Sequence, residues 1–116
     1  MTLDQPSGPR STPDLTSALN QLWIRFRPQI LERVAILEDA AQARAADALT
    51  TEQREAAHSA AHKLAGTLGI FDLARGTDLA REFEHACASA ESLSAVEPSR
   101  LKRLATEIRT DVEGRS

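Results

Sequence analysis

The sequence predicts an all-α protein, an antiparallel four-helix bundle with a short N-terminal lead-in helix, and three observations carry that prediction. The chain has no tyrosine, three phenylalanines and one tryptophan, and is dense in Ala, Leu, Arg and Glu, a helical rather than a sheet vocabulary. Apolar residues recur at three- and four-residue steps over long stretches. Capping and breaking residues divide those stretches with short links between them. Amphipathic stripes so joined bury one another in an antiparallel bundle. A chain of 116 residues buries roughly 60 to 70% of its unfolded surface, enough for one core.

Residues 1–13, "MTLDQPSGPRSTP", are rich in Pro, Gly, Ser and Thr and lack apolar periodicity, so they are expected to be a mobile leader before a bundle domain over 14–116. From Leu15 the residues Leu19, Leu22, Trp23, Phe26, Ile30, Val34 and Leu37 form one helical stripe that passes through Pro28. A proline in a helix interior removes a hydrogen bond, so a lead-in helix running into a longer one is expected there, the latter ending near Ala46. Thr50 with Gln53 three residues on is a capping-box pattern, which starts a helix that runs to about Leu68. Asp72 is a candidate N-cap for the next helix, running to Ala90 with Leu79, Phe83, Ala86 and Ala90 on one face and weakened in its first turn by Gly76. The stretch "ASAESLSA" breaks the pattern. Pro98 opens the last helix, with Leu101, Leu104, Ala105, Ile108 and Val112 inward and Gly114 at its end.

Charge excludes some partners. The net charge is −3 with acids and bases interspersed, which gives no basic footprint for nucleic acid. The single cysteine, Cys87, cannot form an internal disulfide and reads as a small apolar group; with no apolar run of membrane length, a cytoplasmic chain is expected. His85 and Trp23 read as structural or partly exposed.

The segment Glu55 to Gly69, "EAAHSAAHKLAGTLG", sets two histidines beside two glycines in a strong helix former. A glycine in a helix interior costs about 1 kcal/mol relative to Ala. On a helical wheel Leu64, Leu68, Ala57 and Ala60 make the core face, whereas Glu55, His58, Gly66 and Gly69 fall within about 40° of His62 on the opposite side. The pattern leaves a gap beside an exposed imidazole, with Gly66 one turn beyond His62. A neutral imidazole offers a lone pair to act as nucleophile, base or metal ligand, and a nucleophile in phosphoryl transfer needs open access for an in-line donor. The chain has no P-loop and no acidic metal cluster, so nucleotide and metal chemistry would come from a partner. Lys63, about 100° round the wheel from His62, carries an ammonium on a long stem. Gly69 reads equally as a helix C-cap. His58 and His62 stand at the spacing of two metal ligands with Glu55 as a possible third, short of what zinc requires.

Residues 61–84, "AHKLAGTLGIFDLARGTDLAREFE", resemble the signature of histidine-containing phosphotransfer (HPt) domains of two-component phosphorelays: a histidine, a leucine two later, a glycine four later, then a second amphipathic helix. The resemblance extends from about residue 15 to the C-terminus. It implies that His62 accepts a phosphoryl group and exchanges it with the aspartate of a response-regulator receiver domain, that a sensor or hybrid histidine kinase is the other partner, and that the receiver supplies Mg²⁺, the chain having no cofactor of its own. It also implies that Leu64 packs and that Gly66 is a close-approach position. Where many relatives carry lysine three residues after the histidine, this chain has Ala65, and Lys63 is the candidate to take over part of that charge. A monomer is expected. The competing expectation is a helical adaptor or dimerisation bundle that binds a signalling partner without being phosphorylated.

Overall fold

The computed structural model describes residues 7–115 and is all helix and turn, with no strand among the described residues. Five helices follow in order: α1 Ser7–Ala45, α2 Thr51–Ile70, α3 Ala74–Ala86, the single-turn α4 Ala90–Ser94 and α5 Pro98–Glu113. The four long helices form the expected antiparallel bundle. Each packs on two neighbours, α1 on α2 and α5, and α3 on α2 and α5, while α4 rests on α3.

The lead-in is continuous with the long helix and not a separate element. α1 runs unbroken for 39 residues through Pro28, so the proline forfeits one intrahelical bond without ending the helix. Residues 1–6 of the expected leader lie outside the described residues, and 7–13 are the first turns of α1. There Pro9 falls in the first turn, where a backbone N–H has no intrahelical partner in any case. The inward stripe starts later than its periodicity suggests: Trp23, Ile30, Val34 and Leu37 are buried, whereas Leu15, Leu19 and Leu22 are exposed. Length explains this. At about 1.5 Å per residue α1 is nearly twice as long as α2, and its N-terminal part extends past the bundle. The bundle closes at Trp23, whose ring meets Phe71 edge-on at 5.1 Å, with the Arg115 guanidinium 4.9 Å from the indole centroid.

α2 begins as its capping box dictates. The Thr50 hydroxyl accepts from the Gln53 N–H at 3.0 Å and the Gln53 side chain accepts from the Thr50 N–H at 2.9 Å. It ends at Ile70, two residues beyond the expected Leu68, because Phe71 and Leu73 still donate their N–H groups to Leu68. Gly69 is therefore inside the helix and not its C-cap. The left-handed residue that turns the chain is Asp72, φ 62°, a conformation that Asp tolerates better than most residues.

Asp72 is accordingly not the N-cap of α3. That position belongs to Leu73, which offers no side-chain cap, and the carboxylate of Asp111 on α5 takes the role by accepting the Gly76 N–H at 2.8 Å. α3 ends at Ala86, not Ala90, with the Arg54 side chain donating to the Cys87 carbonyl at 2.9 Å. Ser89 then caps α4 by accepting the Ser92 N–H at 3.0 Å, and this leaves Ala90 exposed at the start of α4 instead of inward. α5 matches its expected bounds, with Leu101, Leu104, Ala105, Ile108 and Val112 all buried. Its Arg109 forks onto Glu38 of α1 at 2.6 and 2.8 Å, a pairing that raises the guanidinium pKa above its ordinary value.

Candidate functional site

α2 buries Ala57, Ala60, Ala61, Leu64, Ala65 and Leu68, and this face fixes where its other residues point. The His62 side chain is 72% exposed and that of His58 41%. Lys63, Gly66 and Gly69 are exposed as well. The five candidate residues thus share the solvent side of α2, with His58 leaning toward α3. No described glycine has a positive φ, so Gly66 and Gly69 do not serve the backbone by taking a left-handed turn. What they contribute is space. A Cβ added at Gly66 would meet nothing within 4 Å, and one at Gly69 would meet only Thr77 Oγ1 at 3.9 Å.

α3 supplies the residue that sequence reasoning missed. Glu84 places Oε2 2.8 Å from His62 Nδ1 and 4.0 Å from His58 Nε2. Its side chain is only 19% exposed, held in the groove between α2 and α3. A carboxylate can only accept, so Nδ1 carries the proton and donates it. In the neutral ring the lone pair is then on Nε2, a nucleophilic nitrogen in an exposed imidazole beside an open strip. The signal in the sequence was indirect: Glu84 lies 22 residues from His62, with Leu73 of the short α2–α3 link midway, so a hairpin folded there brings the two side by side.

The other chemistry-bearing residues stay apart. Cys87 is buried, and burial pushes its thiol up to about 11 despite the opposing field of Arg54. His85 is exposed. Among the described residues no three or more His, Cys, Asp or Glu side chains gather as a metal site, and no helix is long and apolar enough to cross a membrane.

The chain is similar to Protein RcaC of Microchaete diplosiphon, 36% identical over 95 residues, which cover 82% of this chain and 15% of the relative. The chain therefore spans a small part of that relative's length. No solved structure matches it significantly. The sequence model of the Hpt domain family matches residues 21–113, which takes in Trp23 at the closed end of the bundle, all of α2 to α5 and the whole His62 site, and leaves out the N-terminal part of α1. With that match over most of its length, the chain belongs to the Hpt domain family, whose members carry phosphoryl groups in two-component signalling and are not kinases.

Proposed function

We propose that this chain is a phosphorelay carrier in which His62 takes up a phosphoryl group on Nε2 and exchanges it with the aspartate of a response-regulator receiver domain. The observation that carries the reading is the 2.8 Å contact between His62 Nδ1 and Glu84, which commits the proton to one ring nitrogen and the lone pair to the other. In the transfer the Nε2 lone pair attacks phosphorus, the P–O bond to the aspartate breaks, and the carboxylate leaves with the bonding pair. The ring gains positive charge as the N–P bond forms. Glu84 offsets that charge through Nδ1–H, as the carboxylate of a Ser-His-Asp triad does for its imidazolium. In the reverse direction the aspartate oxygen attacks and the ring leaves neutral.

Gly66 and Gly69 leave the approach to the ring open, and Lys63, the next residue along α2, offers an exposed ammonium. The Mg²⁺ that phosphoryl transfer uses would be held by the receiver. A sensor or hybrid histidine kinase is the proposed source of phosphate, the cytoplasm the proposed place and a monomer the proposed state, since one exposed imidazole suffices for the chemistry. Incubation with a phosphorylated receiver domain should give acid-labile, base-stable label that His62→Gln abolishes and His58→Gln and His85→Gln retain. Label that persists in His62→Gln overturns the assignment. Receiver binding without label, unchanged by His62→Gln, favours a non-catalytic adaptor.

A further inference from the structure

Two contacts fix the register of α3 against α2. Glu84 faces His62 at 2.8 Å, and Thr77 faces Gly69, its Oγ1 3.9 Å from where a Cβ would stand. Read between them in antiparallel order, Arg81 comes opposite Ala65, one helical turn from Glu84 on the α2 side of α3. Ala65 is 5% exposed and carries no charge, and Gly66 beside it is bare. Arg81 is exposed and without a hydrogen-bond or ion-pair partner among the described residues. By contrast Arg75, Arg100 and Arg109 are each committed to a glutamate.

Phosphorylation creates a charge problem at this place. It adds about 1.5 to 2 negative charges to a ring already touching the Glu84 carboxylate, and like charges at such separations repel. On α2 the charged or titratable neighbours are Lys63, about 100° round the helix, and Glu55 and His58 on the histidine strip. On α3 the residue one turn from Glu84 is an uncommitted guanidinium, a planar fork that matches phosphate oxygens and sits on a stem long enough to cross open surface.

We propose that Arg81 is the phosphoryl-binding cation of the site, its guanidinium lying over the bare strip at Gly66 and forking onto the phosphoryl oxygens once His62 is modified. α3 then both holds the ring, through Glu84, and receives the charge, through Arg81. The proposal rests on the phosphorelay reading, and one experiment separates the two. The chain is phosphorylated on His62 with phosphoramidate, His62→Gln serving as the unlabelled control, and the phosphoryl group is titrated by ³¹P NMR. A neighbouring cation favours the dianion, so Arg81→Ala should raise the midpoint of that titration by about half a pH unit, with Arg81→Lys recovering most of the shift and helix content unchanged by circular dichroism. A midpoint equal to wild type in Arg81→Ala overturns the proposal. Failure of the labelled wild type to pass phosphate to any receiver domain with Mg²⁺ overturns the phosphorelay reading instead, while the ³¹P midpoint still decides whether Arg81 binds the group.

Discussion

Glu84 on α3 holds His62 on α2 by a single 2.8 Å hydrogen bond to Nδ1, so the nucleophile and the group that orients it come from different helices. Helix packing therefore sets the reactivity of the ring. A charge-assisted hydrogen bond contributes about 1.5 to 3 kcal/mol, and Glu84 is mostly shielded from water. Glu84→Ala should slow phosphotransfer about tenfold or more, and Glu84→Gln, whose amide oxygen still accepts from Nδ1–H but carries no charge to offset the ring's, should recover only part of the rate. Label transfer from a phosphorylated receiver measures both. Equal rates in the wild type and the alanine variant would show that the ring needs no orientation.

Gly66 separates stability from function. Nothing lies within 4 Å of a Cβ placed there, so Gly66→Gln fits the free chain and gains helix propensity worth up to about 1 kcal/mol. The same side chain stands where a partner would approach the imidazole. The variant should melt at or above the wild-type temperature and transfer phosphate much more slowly. A variant that unfolds yet transfers normally in its folded fraction would identify Gly66 as a packing residue.

Lys63 is exposed, and its effect on a phosphoryl group at His62 is bounded by solvent screening to about 1 kcal/mol. Lys63→Ala should move the equilibrium away from phosphohistidine by up to about fivefold, and less at high salt. The reciprocal variant is harder to accommodate than the sequence suggests, because Ala65 is buried. In Ala65→Lys the ammonium must reach water along the α2–α3 groove, and where it does, phosphohistidine should gain. The ratio of phosphohistidine to phosphoaspartate at two salt concentrations decides both points.

The parts of this molecule legible in the sequence are those set by neighbours along the chain. Thr50 and Gln53 sit three residues apart and cap each other, so the start of α2 could be read directly. The orientation of His62 and Gly66 away from the core follows from the helical period, which also places Leu64 and Leu68 inward. What could not be read depends on partners distant in sequence. Leu73 rather than Asp72 occupies the N-cap position of α3 because the chain reverses through a left-handed Asp72, and the side-chain cap comes from Asp111, 35 residues from the Gly76 N–H it accepts. The stripe through Leu15, Leu19 and Leu22 has the spacing of a core helix, yet burial depends on what lies opposite, and the bundle ends at Trp23. Glu84 belongs to the same class, its role invisible until α3 is laid against α2.

The Asp111 cap gives a stability test. Gly76 admits the carboxylate because it has no Cβ: one added there would stand 2.7 Å from Asp111 Oδ2 and 3.0 Å from Leu68 Cδ1. Gly76→Ala improves local helix propensity by about 1 kcal/mol but must displace the cap and crowd Leu68, at a cost of about 1 to 3 kcal/mol. Net destabilisation is expected, with Asp111→Ala losing about 1 kcal/mol through the cap alone. Urea titration of the two single variants and the double variant checks this. A double variant no less stable than Gly76→Ala would show that the alanine has already removed the cap, and full additivity would show two independent effects.

Cys87 provides a prediction on pH. Its thiol is pushed from 9.0 up to about 11, chiefly by burial, so the folded chain holds the proton more tightly than the unfolded one. The thiol's contribution is fully present below the unfolded value, and stability should fall as pH rises from about 9 and be lost through about 11. The window is nearly clear of other groups, since the chain has no tyrosine and only two lysines, Lys63 and Lys102, both exposed. Cys87→Ala leaves a small cavity, which costs about 1 kcal/mol at neutral pH, but it removes the titration. Its urea midpoint should therefore start below that of the wild type at pH 8, cross it at about pH 10 and lie above it by pH 11, because the wild type loses about 2 kcal/mol over that range. Parallel midpoints across that range would mean that the thiol does not ionise on unfolding as its burial requires.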